Sequence, residues 1–397
     1  ATQTPSPLIP IPFKPQFIEA FRAKAEKSEP PPDHGSFYFM KHRRQNDLSI
    51  MEPVLVFGIA YLLYKRQTSS SSKPKPPPHK TSDVVVVGAS NMDLITYCQR
   101  CPNAGETIHG NTFQQGFGGK GANQAVMSAK LGAKTNIITC VGNDSFGDDT
   151  VLNFTANGLE CSGVLRAPGK EPTGVAPIWV DAAGENRILI VNGANDCLLP
   201  QHVQQPSMRA IISAAKVLIC QLEIKSETTL EALKVGKLGK CLTILNPAPA
   251  SSKLDSSFYA HADIIAPNQT EAYILTGIDA STTKGAKKAG AALIEMGVNM
   301  VVMTLGKDGA LVMTKDDAIF VATNGIDASL VKDTSGAGDC FLGAFAYHLT
   351  RNTTEGYTLK KTVEAAKYAC SAATLSVQRN GTQSSYPDRQ TVDAFCQ

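Results

Sequence analysis

The chain has 397 residues, with 43% hydrophobic and 18% charged side chains and a formal net charge of +3. This composition is typical of a globular protein, and the length is sufficient to bury a large core. The small net charge argues against a strongly basic nucleic-acid-binding protein or a membrane-surface protein, so we expect neither of these partners.

The cysteines indicate the redox environment. Ten are scattered along the chain, several within apolar stretches, which favours a reducing compartment. We therefore predict a cytoplasmic location, with the nucleus as an alternative. Cys98 and Cys101 form the one CxxC pair, and neither a second pair nor a His lies nearby. We expect two unrelated thiols rather than a zinc site.

The first eighty residues differ from the rest of the chain. Residues 1–36 are rich in proline, and residues 69–72 precede a second proline-rich run, which predicts an extended linker. Between them, the apolar stretch 53–64 is too short to cross a bilayer as a helix, so a membrane tether is not expected, although its length suits a targeting signal. We predict a disordered N-terminal extension over residues 1–80 and one folded domain over residues 81–397.

From Asp83 onward, short apolar runs alternate with helical patterns. Val84–Val87 ends at Gly88, as expected for a buried parallel strand. Similar runs occur at Asn136–Val141, Lys216–Cys220, Leu242–Leu245, Ile264–Ile265, Met300–Thr304 and Ala310–Met313. Helical periodicity lies between several of them, at Asn123–Leu131, Glu227–Leu238, Lys284–Met296 and Val363–Ser376. This alternation predicts an α/β fold with a doubly wound, mainly parallel central sheet flanked by helices.

Two stretches interrupt this alternation of strands and helices. Thr107–Phe117 and Gly174–Val191 have strand patterns without a helix, and the second contains a turn at Ala182–Asn186. We expect a small β-sheet lid, built from about residues 105–118 and 174–191, that covers a cleft of the main domain. An edge extension of the main sheet is the alternative.

Gly116–Asn123 contains the pattern G-x-G-x-x-G. A dinucleotide-binding fold needs this pattern directly after its first strand, which here ends at Gly88, far upstream. A Walker loop is also excluded, because Gly121 stands where Ser or Thr would bind magnesium. We predict a glycine-rich turn that presents Lys120 and Asn123 to sugar hydroxyls; a plain loop-to-helix junction is the alternative.

Polar residues follow several of the predicted strands. They occur at Ser90–Asp93, Gln221–Glu223, Asn268–Glu271 and Thr304–Gly309. Because the carboxyl ends of parallel strands meet at one edge of a sheet, we expect these side chains to line one ligand site. Local interpretations remain open for three of them: the first is also a strand-end cap, the third a helix-capping box and the fourth a hairpin turn.

The segment Asp333–Phe345 carries the strongest functional pattern. A carboxylate stands at each end of the small-residue turn Asp333–Asp339, and an apolar helical run follows. Such a helix start offers unpaired N–H groups to an anion, with Asp339 beside it in the first turn. This arrangement can deprotonate a hydroxyl while a phosphoryl group is held, which predicts a kinase of a small alcohol. The alternative is a tight turn in which Asp339 serves the helix dipole.

From about Asp83 to the C-terminus, the chain resembles the ribokinase-type family of carbohydrate and nucleoside kinases, and its animal members in particular. The resemblance rests on several motifs in the family's order, which makes it specific. The matching pieces are Asn91–Asp93, Gly105–Thr107, Gly118–Asn123, Gln221–Glu223, Asn246–Pro249, Asn268–Glu271, Thr304–Gly306, Asp333–Asp339 and Gly381–Ser385.

The resemblance implies a ribokinase-like fold and ATP-dependent transfer of the γ-phosphoryl group to the 5-hydroxyl of D-ribose. The implied catalytic residues are the base Asp339 and the N–H groups of Gly336, Ala337 and Gly338. The residues implied for the sugar are Asn91, Met92, Asp93, Gly119, Lys120, Gly121, Ala122, Asn123, Glu223 and Asp339. Those implied for ATP are Asn268, Thr304, Leu305, Gly306, Lys307, Asp308, Gly309, Gly338 and Asp339.

The resemblance also implies two cations and a homodimer. Magnesium would be organised through Glu271, by way of water. Potassium would be bound near the anion site by Asp333, Ser335, Ser376, Arg379, Gly381 and Ser385. Relatives often have Thr where this chain has Ser335, so the hydroxyl is kept. Exposed lid strands would favour pairing between the lids of two subunits, as relatives are commonly dimers.

Two other functions remain open at this point. The acceptor could be another sugar or a nucleoside within the same family. A non-catalytic member of the family, acting as an interaction protein, is the second alternative. Loss of the carboxylates would be expected in such a protein, yet Asp93, Glu223, Glu271, Asp333 and Asp339 are all present.

Overall fold

The structure is a computed structural model, and it describes residues 82–351 and 357–396. The predicted extension over residues 1–80 and the apolar stretch 53–64 lie outside the described residues. All ten cysteines lie within the described part, and all are free thiols. In the same part of the chain, none of the helices is both long enough and apolar enough to cross a membrane.

The strands of the described residues fall into two sheets. In chain order they are Val84–Val87 (β1), Asn91–Tyr97 (β2), Thr112–Gly118 (β3), Thr135–Val141 (β4), Val164–Arg166 (β5), Gly174–Val180 (β6), Asn186–Ile188 (β7), Val217–Cys220 (β8), Leu242–Leu245 (β9), Ile264–Ile265 (β10), Met300–Thr304 (β11), Ala310–Met313 (β12) and Ala318–Val321 (β13). The large sheet has the order β13-β12-β11-β10-β9-β8-β1-β4-β5, and the small sheet has the order β3-β2-β6-β7.

The large sheet is parallel from β5 across to β11, and only β12 and β13 at one edge run antiparallel to their neighbours. This confirms the prediction of a mainly parallel central sheet. The seven apolar runs predicted as strands all belong to it, each within one residue of its predicted bounds. Strands β5 and β13, at the two edges, were not predicted.

Helices cover both faces of the large sheet. They are Lys120–Lys130 (α1), Ser145–Ala156 (α2), Pro200–Val203 (α3), Pro206–Ser213 (α4), Ser226–Leu238 (α5), Ser256–His261 (α6), Gln269–Thr276 (α7), Thr283–Glu295 (α8), Ala337–Thr350 (α9), Leu359–Ser376 (α10) and Arg389–Phe395 (α11). Short 3-10 helices occur at Gly193–Cys197, Gly306–Asp308 and Ala328–Leu330.

Side-chain alternation along β1 shows how the two layers arise. Val84 and Val86 pack in the core with α1, α2, α9, α10 and α11. Val85 and Val87 point to the other face and pack in the core with α3 to α8. All four valines are fully buried. A four-residue run with apolar side chains on both faces therefore becomes an interior strand of a doubly wound sheet.

The topology defines one crevice. From β1 the chain proceeds to β4 and β5 on one side, whereas β8 and the later strands lie on the other side. Helix α1 connects the small sheet to β4, and helix α5 follows β8. The two helices pack on opposite faces of the large sheet. The carboxyl ends of β1 and β8 are therefore a topological switch point, where open α/β sheets bind ligands.

The small sheet is separate from the large one, so the alternative of an edge extension is wrong. Its central strands β2 and β6 are parallel, and β3 and β7 pair antiparallel outside them. Strand β2 was not predicted, because residues 91–93 were treated as part of a polar stretch that follows β1. The loop of residues 105–111 precedes β3, which begins only at Thr112.

Candidate active site

The start of α1 packs tightly against the end of β1 because its glycines have no side chain. A Cβ atom on Gly121 would lie 2.7 Å from the carbonyl carbon of Gly88, and one on Gly119 would lie 2.8 Å from the carbonyl oxygen of Ala89. Gly119 also has φ +86, a conformation that other residues disfavour. This contact brings Lys120 to the carboxyl edge of the sheet. Helix α1 begins three residues before its predicted start.

Asp339 lies in the first turn of α9, as predicted, and is 7% exposed. The chain enters this helix through Gly336, whose φ of +69 is in the left-handed region. Both carboxylate oxygens accept hydrogen bonds from α1. Asn123 Nδ2 donates to Oδ2 at 3.0 Å, and Gln124 Nε2 donates to Oδ1 at 2.8 Å. The carboxylate is therefore held from one side by the neighbouring helix.

The turn before α9 and the first residues of that helix line a cleft of about 180 Å³. Among the described residues, no side chain caps the helix N-terminus, and the first N–H groups of a helix have no intrahelical acceptor. The N–H of Ala337 donates to the carbonyl of Thr334 at 3.2 Å, so it would have to exchange that partner to bind an anion. Tyr386 fixes the turn by donating its hydroxyl to the carbonyl of Gly336 at 3.1 Å.

Lys120 lines the same cleft and lies among three carboxylates. The charge of Asp339 raises the pKa of Lys120 most, and the charges of Glu223 and Glu271 add to it against the opposing effect of burial. The backbone N–H of Lys120 donates to Glu223 Oε2 at 2.7 Å. Burial raises the pKa of Glu223 despite the attraction of Lys120. A cation that stays charged in this position suits a phosphate group.

Asp93 stands on β2, where the small sheet meets the crevice. Burial, together with the charges of Glu223 and Asp339, raises the pKa of Asp93 to about 7. Its carboxylate lies against Gly118 of β3: a Cβ atom there would be 2.2 Å from Asp93 Oδ1. The last glycine of β3 therefore provides the room that this side chain occupies.

Asn91 is held by a residue that the sequence did not point to. Asn195, in the 3-10 helix after the small sheet, donates from Nδ2 to Asn91 Oδ1 at 2.7 Å and to the carbonyl of Ser90 at 3.1 Å. Its Oδ1 accepts from the N–H of Ser90 at 2.9 Å. Asn192, at the return of the chain from the small sheet, accepts a further bond from Asn195 Nδ2 at 3.0 Å. The buried amide of Asn195 thus connects the point where the chain enters the small sheet to the point where it leaves it.

Some residues predicted for the sugar have side chains that face the interior. Met92 and Ala122 are 3% and 1% exposed, so a sugar could reach only their backbone. Asn123 is engaged at both ends of its amide, because Oδ1 accepts from Gln383 Nε2 at 2.9 Å while Nδ2 donates to Asp339. Gln383 belongs to the motif at residues 381–385, which is the one sequence signal for its part in the site.

Of the residues predicted for the nucleotide, those that line the cleft are Asn268, Thr304, Gly338 and Asp339. Asn268 and Glu271 form the capping box of α7: Asn268 N donates to Glu271 Oε2, and Glu271 N donates to Asn268 Oδ1, both at 2.8 Å. Both residues also line the cleft with Thr304, so the capping interpretation and a ligand-binding one are compatible. Leu305 packs in the core, and the exposed residues 306–308 lead through the buried Gly309 into β12.

The residues predicted for potassium come from two adjoining loops. Asp333 joins them, accepting from the N–H of Ser335 and from the N–H of Gly381, both at 2.8 Å. The N–H of Arg379 donates to the carbonyl of Ser376 in the turn between α10 and the second loop. The Ser385 hydroxyl donates to the carbonyl of Thr382 at 2.8 Å. Both oxygens of Asp333 are thus engaged, so ligands for a cation would come mainly from carbonyl oxygens.

In the part of the chain that the structure describes, no group of three or more His, Cys, Asp or Glu side chains is arranged to hold a metal ion. Glu271 lines the cleft, and its oxygens accept from the backbone and side-chain nitrogens of Asn268 at 2.8 and 3.0 Å. A magnesium ion bound mainly by phosphates and water would fit this arrangement, since such ions take only one or two protein carboxylates.

Fold and geometry together define a class of protein. A doubly wound sheet carries a crevice at its switch point, with a buried carboxylate at a glycine-rich helix start, a lysine beside it and a second small sheet at the rim. These are the parts of a small-molecule kinase. The model of the pfkB family of carbohydrate kinases matches residues 81–389, and the chain belongs to that family.

Two curated relatives and one solved structure illustrate the similarity. The chain is 40% identical over 314 residues to the deoxyribokinase of Salmonella typhimurium, covering 79% of this chain and 98% of that protein. It is 42% identical over 311 residues to the ribokinase of Mus musculus, covering 78% and 93%. The structure of Arabidopsis thaliana ribokinase complexed with ribose and ATP aligns with a TM-score of 0.72 and 31% identity, covering 80% and 99%.

Proposed function

We propose that this kinase transfers the γ-phosphoryl group of ATP to the 5-hydroxyl of D-ribose, with Asp339 as the general base. The observation that carries the proposal is the position of Asp339. Its carboxylate is held by α1 at the start of α9, in the cleft that also contains Lys120. The mouse and Arabidopsis relatives, both named as ribokinases, support ribose as the acceptor.

The residues divide the chemistry among them. Asp339 accepts the proton of the sugar hydroxyl. At the same time the hydroxyl oxygen bonds to the γ-phosphorus, and the bond from the γ-phosphorus to the bridging oxygen of the β-phosphate breaks. Lys120 and the N–H groups of Gly336, Ala337 and Gly338 stabilise the negative charge on the transferred group. Asp93, Asn91 and Glu223 hold the sugar. Asn268 and the segment 304–309 hold the nucleotide.

Two cations complete the proposed site. Magnesium, held by the phosphates and through water by Glu271, would neutralise phosphate charge during transfer. Potassium would be bound near the anion-binding turn by the loops that carry Asp333, Ser335, Ser376, Arg379, Gly381 and Ser385. The bonds from Asp333 to Ser335 and Gly381 support this pairing of loops.

A substrate panel tests the proposal. ADP release should be measured with D-ribose, 2-deoxy-D-ribose, D-fructose and adenosine, each with and without potassium. The proposal expects the highest kcat/KM with D-ribose and a lower rate without potassium. Activity on adenosine alone would contradict it.

2-Deoxy-D-ribose is the second candidate acceptor. The specific observation in its favour is the 40% identity to a protein named deoxyribokinase, over 98% of that protein. The two sugars differ by one hydroxyl, so their kcat/KM ratio decides between them. A site that hydrogen-bonds the 2-hydroxyl rejects the deoxy sugar strongly, because its own polar groups are then left unpaired.

We also propose that the protein is a cytoplasmic homodimer paired through the small sheet. Ile188 of β7 and the following residues Leu189, Ile190 and Val191 are 48 to 55% exposed, and Phe113 of β3 is 57% exposed. Several exposed apolar side chains close to one small sheet are typical of an interaction surface. Sedimentation analysis of the protein and of an Ile188→Asp variant tests this, and a monomeric parent protein would contradict it.

A further inference from the structure

Asp339 is connected to two buried glutamines that take no part in the chemistry described above. Gln124 and Gln221 are both fully buried. Gln221 Nε2 donates to Gln124 Oε1 at 2.5 Å, and Gln124 Nε2 donates in turn to Asp339 Oδ1 at 2.8 Å. Gln221 follows β8 and Gln124 lies in α1, so this chain of hydrogen bonds runs from the sheet to the carboxylate.

The direction of these bonds is fixed by chemistry. An ionised carboxylate only accepts, so Gln124 must turn its NH₂ group toward Asp339. The same NH₂ group donates to Asn246 Oδ1 at 3.1 Å, and Asn246 is itself oriented because its Nδ2 donates to the carbonyl of Ala266 at 3.0 Å. A reversed Gln124 amide would bring its oxygen against two other acceptors. Gln221 must then offer its own NH₂ group to Gln124.

This arrangement leaves one polar atom unpaired. Gln221 Oε1 is buried and has no hydrogen-bond partner among the described residues. It lies against the backbone of Gly88, where a Cβ atom would be only 2.0 Å away. An unpaired buried acceptor is unfavourable by roughly 1–3 kcal/mol. The unfavourable contribution falls on Gln221, the residue that orients Gln124. We take this as an argument that Gln221 does more than fill space in the core.

We propose that Gln124 is a positioning residue for the general base, and that Gln221 sets the direction of its amide. Gln124 holds the Asp339 carboxylate in the orientation that faces the sugar hydroxyl, because its bond to Oδ1 complements the bond from Asn123 to Oδ2. The inference rests on the proposed role of Asp339. It adds a requirement that the base be oriented by groups that touch neither substrate.

The main test is the variant Gln124→Met, which keeps the length of the side chain and removes its hydrogen bonds. We expect kcat to fall by about 10- to 100-fold, the scale of a misplaced catalytic group. The KM values for sugar and ATP should stay within about threefold of the parent values, because Gln124 contacts neither ligand. Gln221→Met should give a smaller loss of the same kind.

Ser128 provides a matched control. It lies one turn further along α1 and is fully buried, and its hydroxyl is within hydrogen-bond distance of the carbonyl of Gly343 in α9, at 2.9 Å, and of the backbone carbonyl of Gln124, at 3.0 Å. Ser128→Ala therefore disturbs the same pair of helices without touching Asp339, and kcat should remain within about twofold of the parent value. Thermal unfolding of each variant measures the change in stability. If Gln124→Met does not fold, Gln221→Met carries the test.

A double variant separates positioning from general weakening of the fold. In an Asp339→Asn background, Gln124→Met should lower kcat hardly any further, because both substitutions act through the same carboxylate. A kcat for Gln124→Met close to that of Ser128→Ala, or an equal loss in the Asp339→Asn background, would overturn the inference. If Asp339→Asn itself keeps near-parental turnover, the proposed base is wrong instead.

Discussion

The start of α9, which forms the floor of the cleft, and the edge of the small sheet each contribute one carboxylate. The two carboxylates differ in the hydrogen bonds that they accept. Asp339, on the floor, accepts hydrogen bonds at both oxygens from side chains of α1. Asp93, on the small sheet, has its pKa raised to about 7 by burial and by two neighbouring carboxylates, and no hydrogen bond from a described residue lowers it. The protein therefore satisfies the first carboxylate itself and leaves the second in need of a partner.

The difference corresponds to the two proposed roles. A general base has to be oriented before the substrate arrives, since its direction decides whether a proton can be transferred. A carboxylate that binds sugar hydroxyls gains most if its hydrogen bonds are made only by the ligand. Changes at the floor should therefore lower turnover, and changes at the edge of the small sheet should weaken sugar binding.

The largest effect is expected for Asp339→Asn. An amide cannot accept the proton of the sugar hydroxyl, so turnover should fall by at least ~100-fold. Binding of ATP and of sugar, measured by calorimetry, should be retained. Turnover of this variant within about tenfold of the parent value would contradict the assignment of Asp339 as the general base, and with it the difference in role between Asp339 and Asp93.

The second effect tests the room that Gly118 gives to Asp93. In Gly118→Ala the new methyl group would lie 2.2 Å from Asp93 Oδ1 and would displace the carboxylate. We expect the KM for the sugar to rise about tenfold or more, the value of one hydrogen bond to a charged group. The KM for ATP should not change.

Gly116→Ala is the matched control for that variant, on the same face of β3. A Cβ atom there lies 3.8 Å from Asp93 Cβ, an ordinary contact, so steady-state constants should stay close to those of the parent. An equal rise in the sugar KM in both variants would show that the strand, and not Asp93, is responsible.

A smaller effect follows from the pKa of Asp93, which is about 7 in the sugar-free protein. Because the charged form is the better acceptor for hydroxyls, the KM for the sugar should fall as the pH rises from about 6 to 8. Ionisation of one group near pH 7 limits the change to about tenfold. The Asp93→Asn variant should bind the sugar weakly and show no such pH dependence; a parallel dependence in that variant would contradict the assignment.

The smallest effect concerns stability. The pKa of Asp93 is raised from 3.8 to about 7 by folding, so the folded state becomes less favoured as the pH rises between these two values, and the penalty is constant above about pH 7. Asp93→Asn removes this penalty without changing the shape. Without sugar, its Tm should exceed that of the parent at pH 8 by about 2 °C or more, and the difference should shrink toward pH 5. A constant difference would count against the raised pKa.

Most strands of the large sheet could be predicted from the sequence. Short runs such as Val84–Val87 are apolar on both faces, as expected for interior strands of a parallel sheet. Strand β2 was missed for the opposite reason: residues 91–97 begin with polar side chains and have no clear period. Their strand exists because β3 and β6 pair with it on both sides. Pairing between distant segments decides such cases, and periodicity does not reveal it.

The candidate site shows the same division. Asp93, Glu223 and Asn268 follow predicted strands, so one rule about sheet edges brought them together. Asp339 and Lys120 were predicted instead from small-residue turns that lead into helices. Gln124 and Asn195 escaped notice because a buried polar residue is recognised only by its partners. Those partners lie at Asp339, Gln221 and Ser90, about a hundred residues or more away along the chain. The assignment of ligands to individual residues remains a prediction.

The clamp formed by Asn195 constrains how the small sheet can move. Any rigid rotation of that sheet against the large one has its pivot close to Ser90, Asn91 and Asn192, since all three bond to a single amide. Displacement grows with distance from a pivot, so the strand ends at Tyr97, Thr112 and Val180 would move farther than the residues next to Asn91. Asp93, only two residues beyond Asn91, would barely shift. Sugar selection by that carboxylate would then be nearly independent of how wide the cleft stands open.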